Sequence, residues 1–409
     1  MNTAHSDPVT LILVSLLIIL SAAKLGSIIS NQLKQPLVLG ELVAGITLAC
    51  CLCPCLQSSL NNDAIQVLAS LGSIILLFEV GLETNLKEMA AVGLKSFWVA
   101  CVGVICPFIL GYFLSGMLIP DLTSIAKIFM GATLTATSVG ITARVFKDLN
   151  YMHKTEARIV LGAAVIDDVL GLIILAVVSG IAINGNLDIA SVGLISLKAI
   201  LFLGLSLGLG FLLAGKVIKV LSYFKTPGLK LSLALIACFS LSYLAAQAGL
   251  ATIVGAFAAG LILDEIYFKD YDGEQSVEEL IKPISYFLVP IFFVITGFQV
   301  DLSVFANQEV LIAALVISLA AMLSKLVSGW AFSGSGLNRL IIGVAMIPRG
   351  EVGLIFASAG KAIGVIDDRL YAITVIVVVL TTLIPPIILG KLINSNNSLQ
   401  RHPEGAKRP

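Results

Sequence analysis

LGAAVIDDVLGLIILAVV, residues 161–178, is an apolar run with two neighbouring carboxylates, Asp167 and Asp168, at its centre. A run of this length is close to the roughly 20 apolar residues that cross a bilayer. Counted from Arg158, ten residues at about 1.5 Å each bring a helix to Asp168 after about 15 Å, half the hydrocarbon thickness. A charge at that depth costs about 2.5–3.5 kcal/mol even on the lenient insertion scale. The flanking segments, Leu161 to Ile166 and Val169 to Val178, offer no local partner. Two midplane carboxylates in a membrane helix are read as functional rather than as a purely structural ion pair.

The rest of the chain fits that setting. Of 409 residues, 58% are hydrophobic and only 12% charged, where a soluble domain carries roughly a quarter charged residues. A water-soluble enzyme is excluded. Lys plus Arg and Asp plus Glu balance at 25 each, and no basic face for nucleic acid is visible. The first apolar run, Val9 to Ala23, has no Lys or Arg before it and reads as a retained span rather than a cleaved signal. Cys50, Cys51, Cys53 and Cys55 lie close together, but no His is near and Pro54 interrupts them. They read as apolar filler rather than a metal site or a disulfide, and no cofactor is expected.

Polar, Gly and Pro punctuation divides the chain into thirteen expected spans, at about 8–30, 36–53, 63–82, 91–119, 125–146, 156–183, 189–214, 229–249, 251–268, 281–299, 309–333, 338–362 and 368–394. The polar stretch Asp264 to Lys282 has no apolar core of its own, and a short tail, 395–409, follows the last span. With the N-terminus outside, 19 of the 25 Lys and Arg fall on inner ends and loops, against four outside, Lys127, Lys198, Lys361 and Arg369. The positive-inside rule therefore puts the C-terminus and tail in the cytoplasm.

An internal repeat is present. Gly40 to Gly45 (GELVAG) matches Gly255 to Gly260 (GAFAAG), and Phe78 to Leu82 (FEVGL) parallels Val294 to Phe298 (VITGF). Both pairs are about 215 residues apart, or seven spans, and an odd number inverts the second copy. Shared small-residue packing would give a similar match, but inverted repeats are also the mark of secondary transporters, with the substrate site at the midplane. Two corresponding segments carry backbone breakers. The fifth span contains Thr133, Thr135, Thr137, Ser138 and Gly140, and the twelfth reads MIPRGEVG over Met346–Gly353, where Pro348 must interrupt a helix. The chain is thus expected to be an all-α polytopic membrane protein with an inverted repeat and two crossed discontinuous helices, placing Arg349 and Glu351 at the second break.

Adjacent helical residues point about 100° apart, so Asp167 and Asp168 cannot share one environment. Lys325, deep in the apolar eleventh span, is the expected partner for one of them. The second carboxylate then needs a proton or a bound monovalent cation, and competition between the two is antiport chemistry. His153, beside Lys154, is read as a solvated loop residue, and Glu41 and Glu79 receive no role.

Gln35 to Glu41 (QPLVLGE), the Thr137–Gly140 break, Ile166 to Val169 (IDDV), Lys325 and Pro348 to Gly353 (PRGEVG) together resemble the monovalent cation:proton antiporter family 2, the bacterial sodium/proton antiporters. The resemblance runs through the whole chain in order. It implies a homodimer in the bacterial inner membrane, with one antiporter domain over 1–394. A core bundle, about 91–183 and 309–394, would slide as an elevator against a dimerisation scaffold, about 8–82 and 229–299, with 189–214 as linker helix. It implies that Asp168 is the main cation and proton carboxylate, that Asp167 partners Lys325, and that Thr137 and Ser138 neighbour the ion. Electroneutral relatives have Asn at the first Asp, so Asp167 points to electrogenic exchange of sodium, or lithium or potassium, for protons. A potassium efflux carrier of the same fold is the nearest alternative. The glutathione-gated branch carries a C-terminal nucleotide-binding domain, which is not expected here, and that reading is set behind sodium/proton exchange. An antiporter-like subunit of a respiratory proton pump also uses Lys and broken helices, but does not call for an Asp pair on one helix. An intramembrane aspartyl protease would need its two carboxylates on separate helices.

Overall fold

The computed structural model describes residues 8–51, 60, 62–84, 86–119, 122–184, 228–263, 275–299, 308–332, 336–350 and 363–401, with scattered residues between 193 and 216 and between 353 and 361. Glu351, Cys53, Cys55, residues 264–274 and most of the expected linker helix 189–214 lie outside the described residues. Those described are helical, with no strand among them. In chain order the helices are α1 (Pro8–Gln32), α2 (Leu37–Cys51), α3 (Asp63–Leu82), α4 (Leu86–Leu118), α5 (Ser124–Thr133), α6 (Val139–Asp148), α7 (Thr155–Asn184), α8 (Leu229–Gln247), α9 (Thr252–Ile262), α10 (Val277–Phe298), α11 (Gln308–Leu326), α12 (Arg339–Ala345) and α13 (Asp368–Arg401).

Helix is the form in which a chain this apolar satisfies its own backbone within a bilayer. Seven of the described helices are individually long and apolar enough to cross one, fewer than the thirteen expected spans. The shortfall has visible sources. The fifth and twelfth spans are interrupted around 134–138 and 346–350, and α2 and α9 are apolar but only 15 and 11 residues long. Several starts carry the side-chain oxygen that satisfies orphan N–H groups. Asn62 caps α3, Thr123 caps α5, Asn338 caps α12, and Ser276 with Glu279 forms a capping box on α10.

The chain forms two compact units. The first comprises residues 1–29, 40–91 and 168–302, and the second residues 30–39, 92–167 and 303–409. In the first unit, Ile75, Phe78, Ile291 and Val294 belong to one apolar core joining α3 and α10. Here the repeated glycines have a structural use. A Cβ on Gly81 of α3 would lie 2.4 Å from the Phe257 carbonyl oxygen, and one on Gly260 of α9 would lie 2.3 Å from that of Phe78. The same holds between α2 and α10, where a Cβ on Gly45 would meet the Val294 oxygen at 2.0 Å and one on Gly297 the Leu42 oxygen at 2.2 Å. Gly45 and Gly81 of one repeat copy thus pack on the other copy, and Gly260 and Gly297 pack back on the first, α2 on α10 and α3 on α9, which is the crosswise pairing a two-fold relation produces. Close approach through small residues is a general means of joining membrane helices.

The second unit contains the two interrupted spans, α5 with α6 and α12 with the chain that follows it, together with α4 from Val92, α7 up to Asp167, α11 and α13.

Candidate ion-binding site

The fifth span breaks because four of its five residues from Thr133 to Thr137 are hydroxyl-bearing or small, and such side chains compete with the helix for backbone bonds. The α5 helix stops at Thr133, and Ser138, in extended conformation at φ −91° and ψ 101°, precedes α6. The α12 helix ends at Ala345 because Pro348 lacks an N–H and restricts the residue before it.

The two breaks are bonded to each other. The Ser138 N–H donates to the Pro348 carbonyl at 2.8 Å, and the Thr142 hydroxyl donates to the Ala345 carbonyl at 2.7 Å. The Thr137 hydroxyl lies 3.5 Å from the Met346 carbonyl. Arg349, 0% exposed, donates from Nη2 to the Leu134 carbonyl, while its own carbonyl accepts from the Thr382 hydroxyl of α13. The last carbonyls of a helix have no partner of their own and carry a partial negative charge. A guanidinium answers that charge at the end of α5, and two hydroxyls answer it at the end of α12. Among the described residues, Ser138 Oγ has no hydrogen-bond partner although it is buried. Gly350 makes room for it, since a Cβ there would lie 2.9 Å from that oxygen.

Beside the breaks sits a buried ion pair. Lys325, near the C-terminal end of α11, is 0% exposed, and its Nζ donates to Thr137 Oγ1 at 2.6 Å and to Asp167 Oδ1 at 3.3 Å. Asp167 is 2% exposed, and Arg349 is also within its electrostatic reach. After Lys325 the helix tightens into a 3₁₀ turn, Val327–Trp330, with the Ser328 hydroxyl donating to the Lys325 carbonyl at 2.6 Å. One ammonium is thus shared by a carboxylate on α7 and a hydroxyl at the first break.

Asp167, Lys325, Thr137, Ser138 and Arg349 all belong to the second unit, while Asp168, half-buried, is counted with the first. Thr142 and Thr382 are parts of the crossing that the sequence did not single out. The partner each hydroxyl finds lies far away in the chain, Ala345 for Thr142 and Arg349 for Thr382. Cys50 and Cys51 are exposed free thiols, and no group of three or more His, Cys, Asp or Glu side chains able to hold a metal occurs among the described residues.

An all-helical membrane protein with two broken spans meeting beside a buried Asp–Lys pair has the architecture of a secondary transporter. The chain belongs to the sodium/hydrogen exchanger transmembrane family, which matches residues 14–394. It is 40% identical to the high-affinity Na+/H+ antiporter NhaS3 of Synechocystis over 92% of this chain and 88% of that protein. It is 35% identical to the Na+/H+–K+ antiporter GerN of Bacillus cereus over 90% and 93% of the two chains. The structure of the sodium proton antiporter MjNhaP1 of Methanocaldococcus jannaschii shares the fold, with a TM-score of 0.65 over 94% of this chain and 99% of that one at 18% identity.

Proposed function

We propose that the protein exchanges sodium for protons across a bacterial inner membrane, that Asp168 is the carboxylate that alternates between cation and proton, and that the exchange is electrogenic. The observation that carries the reading is the Lys325 ammonium, held between Asp167 Oδ1 at 3.3 Å and Thr137 Oγ1 at 2.6 Å. Asp167 is thereby matched by a positive charge, and its neighbour Asp168 points about 100° away around the helix. A carboxylate at this depth is stable with a proton or with a bound cation, and the one displaces the other. Sodium, a hard cation, takes oxygen ligands, which a carboxylate such as Asp168 supplies.

The pair supplies the second proton. When a cation approaches, its charge competes with Lys325 for Asp167, and the pair releases a proton, so that two protons move against one cation. Turnover by an elevator motion of a core bundle against a homodimeric scaffold, with the N-terminus outside and the C-terminus inside, completes the proposal.

Potassium is a second cargo to consider, because the relative GerN is described as a Na+/H+–K+ antiporter. Purified protein in proteoliposomes containing a pH-sensitive dye, presented with sodium, lithium or potassium over a range of pH, tests both readings. Sodium is expected to dissipate a preformed proton gradient at the lowest concentration. A response to potassium alone would assign the second cargo, and no response to any of the three would refute exchange.

A further inference from the structure

The connection from α6 to α7 carries two carboxylates that the exchange chemistry leaves unused, Asp148 and Glu156. Asp148, the last residue of α6, accepts through Oδ2 the N–H groups of Leu37 at 2.9 Å and Val38 at 3.4 Å. These are the first two residues of α2. Its Oδ1 takes Arg144 Nε at 2.9 Å from one turn back, and both side chains are nearly buried. Glu156, in the first turn of α7, accepts the Asn338 N–H at 3.0 Å, and Asn338 in turn caps α12.

A helix N-terminus carries about half a positive charge and N–H groups without partners of their own. An Asp–Arg pair on that terminus, brought there from 111 residues away, joins two elements. Leu37 and Val38 fall with α6 in one compact unit, which includes residues 30–39, whereas α2 from Gly40 onward is counted with the other. The α6 helix is ten residues long, a rod of about 15 Å. Asp148 lies at one end of it, and Ser138, bonded to the Pro348 carbonyl, at the other.

We infer that Asp148 is a positioning residue for exchange: it fastens the start of α2 to the half-helix whose other end presents Thr137 and Ser138, so that residues 30–39 travel with the break during turnover. This rests on the exchange reading above. The fastener touches neither Asp167, Lys325 nor Asp168, so it governs the rate of turnover and leaves cation affinity unchanged.

Hydrogen–deuterium exchange of the full-length protein reads the fastening itself. The amides of Leu37 and Val38 are expected to exchange at least about tenfold faster in Asp148→Ala, and within about threefold of wild type in Asp148→Asn, which keeps an acceptor oxygen. In proteoliposomes the saturating rate should fall about tenfold for Ala and less than about threefold for Asn, with the half-saturating sodium concentration within about twofold of wild type for both. Should Asp148→Ala not fold, Asp148→Ser, whose hydroxyl is too short to reach the Leu37 and Val38 N–H groups, is read the same way. Unchanged amide protection in the variant overturns the fastening. A full rate despite lost protection, or a change in half-saturation at an unchanged rate, overturns the positioning role. A wild-type protein that moves no protons for sodium, lithium or potassium sinks the exchange reading and the positioning role with it, whereas the amide result still reports whether the fastener exists.

Discussion

Replacing Asp167 by Asn keeps the size of the side chain and removes its charge, leaving the Lys325 ammonium, 0% exposed, without the carboxylate that now lies 3.3 Å away. Breaking a buried pair by removing one partner costs about 3–5 kcal/mol, whereas removing both charges with well-packed replacements is close to neutral. Asp167→Asn is therefore expected to lower the melting temperature in detergent markedly. The double variant Asp167→Asn with Lys325→Met should recover most of the loss, giving a coupling energy of about 3 kcal/mol or more in the cycle. The functional consequence is separate. One net charge per cycle is driven by about 2.3 kcal/mol per 100 mV, enough to sustain roughly a fiftyfold ion gradient. If the pair carries the second proton, wild-type exchange in proteoliposomes should respond to a potassium–valinomycin potential and both variants should not. An Asp167→Asn protein that melts within about 1 kcal/mol of wild type and still follows the imposed potential would refute the assignment of the second proton to this pair.

Other outcomes follow from single contacts. Gly350→Ala places a methyl 2.9 Å from Ser138 Oγ; an overpacking cost of about 1–3 kcal/mol is expected, with exchange slowed more than expression, as read by dye quenching against membrane yield. Gly260→Val drives a larger side chain into the Phe78 carbonyl, 2.3 Å from the Cβ position, and should destabilise the fold by at least the same amount, as read by thermal melting. At Asp148, burial pushes the carboxyl above its ordinary value, against the pull of Arg144 and of the Val38 and Leu37 N–H groups. A raised folded value gives stability that is present below the unfolded value of about 3.9 and is lost as pH rises through the folded one. Asp148→Asn should therefore gain in melting temperature relative to wild type as pH rises from about 4 to 7, and a constant difference would contradict this.

Much of the arrangement is legible in the residues. Pro348 and the run of hydroxyls from Thr133 announce the two breaks, because each acts on its own backbone. Lys325 stood out as a lone charge in an apolar helix. What stayed hidden depends on which elements meet. No local pattern tells Thr142 that its acceptor is the Ala345 carbonyl, or Asp148 that it faces the start of α2. The repeated glycines were visible as a match, but their crosswise packing, Gly45 with Gly297 and Gly81 with Gly260, requires the helices to be assembled. Hydropathy does not distinguish a continuous helix from two half-helices, as α5 and α6 show.

The proton–cation exchange attributed to Asp168 is tested most directly by one comparison. Wild type and Asp168→Asn, reconstituted at equal density, are given a sodium gradient while internal pH is followed. The amide cannot alternate between a proton and a cation, so sodium-dependent proton movement is expected from wild type and none from a folded variant. Equal proton movement by the two proteins would contradict the account.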